Sequence, residues 1–196
     1  MRQPALQMGV TLDGYVAGPG GELDWGLPAE HPDVEAWKVA LVRQAGTHIM
    51  GRITYEEMAA YWPTATNVYA APMNGIPKVV FSKTLPTAEW AGSRIARGDL
   101  TEEIGALKRE PGGDIIAHGG AAFIQALSRF GLIDEYRLII HPVALGNGLP
   151  LFKDLPRPLR LELAEARHFT DGTVIHVYRP IRTRRVNTAA NEAAIW

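Results

Sequence analysis

Short apolar runs alternate with helical patterns along most of this chain, and that alternation leaves few architectures open. Leu6 to Val10, Thr47 to Met50, Lys78 to Ser82, Ser93 to Ala96, Asp114 to Ala117 and Tyr136 to His141 read as strands. Between them lie four helical patterns. One runs from Asp33, as cap, to about Ala45, with Val34, Trp37 and Leu41 near one face and Gly46 as its stop. A second covers Thr54 to Tyr61 and ends at Trp62-Pro63. A third opens at Asp99 with capping-box spacing and runs to about Arg109. The fourth spans Gly120 to Phe130, with Gly131 at its end. Strands separated by helices imply βαβ units and a mainly parallel sheet covered on both faces. Leu161 to Leu163 and Thr173 to Tyr178, joined across Thr170-Asp171-Gly172, predict an antiparallel edge at the C-terminal side. The fold class is therefore α/β.

At 196 residues this is one domain, expected over 1–180, followed by an Arg-containing and then Ala/Asn-rich tail over 181–196. Lys and Arg number 20 and Asp and Glu 21, for a net charge of −1, so no basic excess points to nucleic acid. Cysteine is absent, which removes disulfides, thiolate nucleophiles and thiolate metal sites and is compatible with a cytoplasmic protein. No run approaches the roughly 20 apolar residues of a membrane span, and Met1-Arg2-Gln3-Pro4 leads straight into a strand-like run without a signal-peptide pattern.

In an open α/β sheet, ligands bind beyond the carboxyl ends of the strands, so the strand-to-helix junctions carry the functional reading. Ile115-Ile116-Ala117-His118-Gly119-Gly120-Ala121-Ala122-Phe123 runs from strand through two glycines and two alanines into a helix. Such a junction suits either tight strand–helix packing or close approach of a pyrophosphate to unpaired N–H groups. Met50-Gly51-Arg52-Ile53-Thr54 places a guanidinium and a hydroxyl at the start of another helix. It fits an anion site, or a capped helix with a solvated arginine. Ser82 and Lys83 follow a third strand and suit a phosphate monoester such as a ribose 2′-phosphate, or an ordinary surface pair. Together the three outline an extended ligand with several phosphates. No G-x-G-x-x-G, G-x-x-x-x-G-K-[ST], G-x-S-x-G or H-E-x-x-H is present, and the six histidines make no compact metal-ligand pattern, so no metal is expected.

Thr11-Leu12-Asp13-Gly14-Tyr15-Val16-Ala17-Gly18 with Gly21-Glu22-Leu23-Asp24-Trp25 resembles the opening of stand-alone proteins of the dihydrofolate-reductase-like superfamily. These proteins group with the reductase domain of the bifunctional riboflavin-biosynthesis deaminase-reductase. Met50-Gly51-Arg52-x-Thr54-Tyr55-Glu56, the Gly119-Gly120 pair, and the run from Gly131 through His141-Pro142-Val143-x-Leu145-Gly146-x-Gly148-x-Pro150-Leu151-Phe152 extend the resemblance over about residues 5–180. The resemblance implies a three-layer α/β/α fold and an NADPH-dependent reductase acting on a pterin- or pyrimidine-type substrate. It further implies similarity to 5-amino-6-(5-phosphoribosylamino)uracil reductase and a homodimer. The alternatives are a dihydrofolate-reductase-like pterin reductase and a non-catalytic NADP(H)-binding protein.

Carried over residue by residue, the resemblance assigns the cofactor to Val16 and Ala17 near the nicotinamide and to Gly51, Arg52 and Thr54 at phosphates. It assigns Ser82 and Lys83 to the adenosine 2′-phosphate, and Gly119, Gly120, Ala121 and Ala122 to the pyrophosphate. Trp25 and His118 are the substrate-side candidates; riboflavin-pathway reductases usually carry Glu where His118 stands. Hydride addition leaves an anion, so a proton source is needed. Asp13 and Glu30 are the candidate donors or water positioners, although Asp13-Gly14 is also an ordinary turn signal.

Overall fold

The computed structural model describes residues 1–26 and 31–181. Glu30 and almost all of the expected tail lie outside the described residues. The chain forms β1 (Pro4–Thr11), β2 (Tyr15–Ala17), α1 (Pro32–Gln44), β3 (Ala45–Gly51), α2 (Arg52–Tyr61), α3 (Ala70–Gly75), β4 (Lys78–Phe81) and β5 (Ser93–Ala96). These are followed by α4 (Leu100–Arg109), β6 (Asp114–Ala117), α5 (Ala121–Arg129), β7 (Glu135–His141), β8 (Leu149–Pro150), β9 (Leu161–His168) and β10 (Val174–Pro180).

Eight strands make one sheet in the order β5-β4-β3-β6-β1-β7-β10-β9. The ladder from β5 to β7 is parallel throughout, and β10 runs antiparallel to both neighbours. Strand residues alternate between two cores, as the period of two requires. Leu6, Ile49, Val79, Ile115 and Ala117 pack with Ile104 and Leu107 of α4 and with Ile124 and Leu127 of α5. Met50, Val80 and Ile116 face the other way, against Val42 of α1, Tyr55 of α2 and Met73 of α3. Helices therefore cover both faces, and the fold is a three-layer α/β/α sandwich with an antiparallel C-terminal edge.

Several local expectations change. The cap of α1 is His31, whose Nδ1 accepts from the Asp33 N–H, because Pro32 takes the first helical position. The buried stripe of α1 is Val34, Val39 and Val42, with Leu41 only half-buried. Gly46 does not stop that helix; it lies inside β3, where a Cβ would meet the Gly113 backbone at 2.7 and 2.8 Å. The three-residue β2 pairs with β8 in a separate two-stranded ribbon. Gly148 permits this: a Cβ there would lie 2.4 Å from the Ala17 carbonyl oxygen. The ribbon holds Val16 and Ala17 buried above the end of β1.

Candidate functional site

The three junctions singled out by sequence follow β3, β4 and β6, which are adjacent parallel strands. Gly51 is level with Phe81, and Ile49 with Ala117, so the strand ends open on the same edge within a residue or two. Cross-contacts tie the junctions together. A Cβ on Gly119 or on Gly120 would lie 3.4 Å from Thr54 Oγ1, and one on Gly51 would lie 3.2 Å from Phe123 Cβ. The Phe81 and Phe123 rings stack with centroids 5.1 Å apart, joining the end of β4 to the first turn of α5. The Gly119–Gly120 peptide is cis.

Helices α2 and α5 differ from α1 and α4 in how they begin. Asp99 caps α4 through the N–H groups of Thr101 and Glu102, with Glu102 and Glu103 in the first turn. α1 has its His31 cap and carries Asp33 and Glu35 in its first turn. By contrast, α2 and α5 begin at Gly51 and Gly120, with no side-chain cap and no acidic residue in the first turn. Carboxylates at an N-terminus neutralise the helix dipole and occupy its free donors. Their absence from both site helices leaves two positive, unsatisfied helix ends beside each other. Thr54 Oγ1, between the two junctions, makes no hydrogen bond among the described residues.

The basic residues are less focused. Arg52 ion-pairs along α2 with Glu56 at 2.9 Å. Ser82 Oγ accepts from the Thr84 and Leu85 N–H groups and so shapes the turn after β4. Lys83 is exposed on that turn. Arg97, which the sequence reading missed, donates to the Lys83 and Leu85 carbonyls at 3.1 and 2.6 Å and fixes the turn's path. Its only sequence signal is a cation directly after a strand.

Toward β1 and β7 the edge is built differently. Asp13 accepts from Thr11 Oγ1 at 2.6 Å, from the Gly146 N–H at 2.7 Å and from the Leu145 N–H at 3.2 Å. The Thr11 hydroxyl, followed by the Gly146 amide, holds its carboxyl below the usual range. Asp13 is thus an anion that ties the turn after β7 to the end of β1. Trp25 stands edge-on to His141, with ring centroids 5.4 Å apart, and donates from Nε1 to the Glu22 carbonyl. Trp62 packs on Tyr61 and Tyr69 beside the second core, as an ordinary packing residue.

His118 ends the strand side of the glycine junction. Its Nε2 lies 2.9 Å from His48 Nδ1, and His48 Nε2 lies 3.4 Å from the Pro72 carbonyl oxygen. His48 also escaped the sequence reading, although a histidine inside the apolar run 47–50 was its signal. Desolvation, opposed by the Pro72 carbonyl and reinforced by the Lys78 charge, pushes His48 down to about 4. Burial and the His48 ring push His118 well below the ordinary histidine value.

The His48 shift has a measurable consequence. Between pH 6.5 and about 4 the unfolded chain binds a proton at His48 that the folded chain refuses. Its stabilising contribution is complete above pH 6.5 and is lost as pH falls toward 4, by roughly 3 kcal/mol for a shift of this size. Urea unfolding at pH 7 and pH 4.5 is expected to show a larger drop in the parent than in His48→Phe. Equal drops would show that the ring does not titrate as placed.

Among the described residues, no group of three or more His, Cys, Asp or Glu side chains is placed to hold a metal ion, and no helix is long and apolar enough to cross a membrane. A surface hollow of about 530 Å³ runs along α4, lined by Gly98, Asp99, Glu102, Glu103, Ala106 and Arg109, and is mainly acidic.

A mainly parallel α/β/α sandwich with an antiparallel edge, open at the ends of β3, β4 and β6, defines a dihydrofolate-reductase-like domain. Its fold matches Enterococcus faecalis dihydrofolate reductase complexed with NADP(H) at a TM-score of 0.62 and 17% identity, covering 91% of this chain and 96% of that one. The chain belongs to the RibD C-terminal domain family, which matches residues 5–175. It is 34% identical over 183 residues to the uncharacterized protein YyaP of Bacillus subtilis (strain 168), covering 90% of this chain and 94% of that protein. A putative riboflavin biosynthesis protein from Shewanella sp. PV-4 superposes with a TM-score of 0.77 at 26% identity, covering 92% of this chain and 99% of that one.

Proposed function

We propose that this chain is an NADPH-dependent reductase that delivers hydride to a flat pterin- or pyrimidine-type heterocycle, in the manner of 5-amino-6-(5-phosphoribosylamino)uracil reductase. The observation that carries the reading is the pair of uncapped, acid-free helix ends that flank Gly119 and Gly120. A dinucleotide pyrophosphate is the ligand chemistry that such donors suit. Family membership and the structural likeness to an NADP(H)-complexed reductase support it.

In this reading the Ala121 and Ala122 N–H groups meet the pyrophosphate over Gly119 and Gly120. Gly51 lets the chain approach, and Thr54 Oγ1 and Arg52 contribute a hydroxyl and a charge. Ser82 and Lys83 take the 2′-phosphate on a turn braced by Arg97. Val16 and Ala17 form the apolar wall at the nicotinamide, and Trp25 and His118 border the substrate. The cofactor supplies the hydride; the chain supplies orientation and exclusion of water. Asp13, already ionised, is assigned to positioning water and the turn after β7, and Glu30 to proton delivery. The active assembly is assigned as a homodimer.

Calorimetric titration with NADPH and NADH tests the reading. NADPH is expected to bind more tightly, and Lys83→Ala to narrow the preference by about 5–10-fold, the value of one exposed charged contact to phosphate. Equal affinities in the parent protein would remove the 2′-phosphate assignment.

A further inference from the structure

The chain Pro72–His48–His118 bears on which nitrogen of His118 carries hydrogen: His48 Nε2 lies 3.4 Å from the Pro72 oxygen, a long contact, and His118 Nε2 lies 2.9 Å from His48 Nδ1. A carbonyl oxygen only accepts, so His48 Nε2, facing the Pro72 oxygen, carries the hydrogen. The reverse tautomer would set a nitrogen lone pair against the lone pairs of that oxygen. A neutral imidazole has one donor and one acceptor, so His48 Nδ1 accepts. The atom facing it at 2.9 Å, His118 Nε2, is then the donor. This leaves His118 Nδ1 as a bare acceptor. Burial keeps both rings neutral, with Lys78 the cation bearing on His48 and His48 the neighbour bearing on His118. Among the described residues no hydrogen bond of the chain reaches Nδ1, and His118 as a whole is half-buried. It stands one residue before Gly119, at the carboxyl end of β6.

We propose that the Pro72–His48–His118 chain makes His118 Nδ1 a dedicated hydrogen-bond acceptor that selects substrates presenting a neutral ring N–H, amino or hydroxyl donor beside the glycine pair. The proposal rests on the reading of this cleft as the substrate site. A carboxylate at position 118 would accept several bonds and favour cationic donors; a neutral imidazole nitrogen accepts one and does not. His48 is a positioning residue here, acting through His118, and its own contacts are to the carbonyl of α3 and the ring of His118.

The test is long-range proton–nitrogen NMR on the full-length, nitrogen-15-labelled protein saturated with NADPH, using uracil and 1,3-dimethyluracil as probes. Both histidines are expected in the Nε2–H form at neutral pH, with the His118 form lost in His48→Phe. Uracil, which has ring N–H groups, is expected to shift His118 Nδ1, whereas 1,3-dimethyluracil leaves it unmoved. His118→Leu should weaken uracil at least tenfold, and His118→Asn, which keeps an acceptor oxygen near the Nδ1 position, should recover most of it. An Nδ1–H tautomer at His118, no response to uracil, or equal responses to the two probes would overturn the proposal. NADPH saturation is followed separately in the same sample. A cofactor that fails to bind while uracil still shifts Nδ1 would sink the reductase reading and leave the acceptor assignment standing.

Discussion

Ala122→Glu is expected to cost at least about 100-fold in NADPH affinity without loss of fold stability. Ala122 is the exposed second residue of α5, whose first turn carries no acid and whose cap, Gly120, contributes no side chain. A carboxylate at this position opposes the helix dipole favourably, by about 0.3–1 kcal/mol. The same carboxylate would repel a pyrophosphate held on this helix end; at an effective dielectric of about 20, a separation of about 5 Å corresponds to about 3 kcal/mol per pair of charges. Opposite signs in the two readouts make the experiment decisive. Thermal unfolding should stay level or rise slightly, and calorimetry should show binding collapse. Unchanged NADPH affinity would mean that the pyrophosphate does not lie on this helix end. Acids already stand in the first turns of α1 and α4, so the fold accepts a carboxylate at that position of a helix.

That contrast between helices was present in the sequence, because capping and first-turn charge are local. Asp99 with Glu102 and Glu103 announces a closed helix end, and Gly119-Gly120-Ala121-Ala122 announces an open one. The parallel direction of β3, β4 and β6 followed from the alternation of elements; their adjacency, which brings the three junctions to one edge, did not. Other features needed the third dimension. Gly46 reads as a helix stop because glycine ends helices, yet its reason is the Gly113 backbone, 67 positions away in sequence and inside van der Waals reach in space. The tautomer of His118 depends on a carbonyl of α3, a six-residue helix with no amphipathic signal long enough to read. Asp13-Gly14 reads as a turn, and it is one. The partners of its carboxylate, Leu145 and Gly146, lie on a turn after β7 that strand periodicity does not locate.

At the opposite end of the sheet, Glu135→Leu is expected to destabilise the fold by about 3–5 kcal/mol, while the double change Glu135→Leu with Arg137→Met is expected to recover most of that loss. Glu135 and Arg137 sit at the start of β7, both under a tenth exposed. Arg137 Nε donates to Glu135 Oε1 at 2.6 Å, and its Nη2 to Asp114 Oδ2 at 3.1 Å. Arg179 meets the second oxygen of Glu135 at 3.0 Å. Among the described residues, removing the carboxylate alone leaves a buried guanidinium with the half-buried Asp114 as its remaining counter-charge, and an under-compensated interior charge is the costly case. Removing both ions takes away the Coulomb attraction and the desolvation penalty together, which in buried pairs of this kind is often neutral or favourable. Arg179, whose side chain is largely exposed, returns to water at little cost. Chemical denaturation of the parent, both single variants and the double variant closes the cycle. A coupling energy near zero would show that the pair is spectator to folding. Unaltered NADPH affinity in every folded variant is expected, because these ions lie at the amino end of β7 and the proposed cofactor edge lies at the carboxyl ends of β3, β4 and β6.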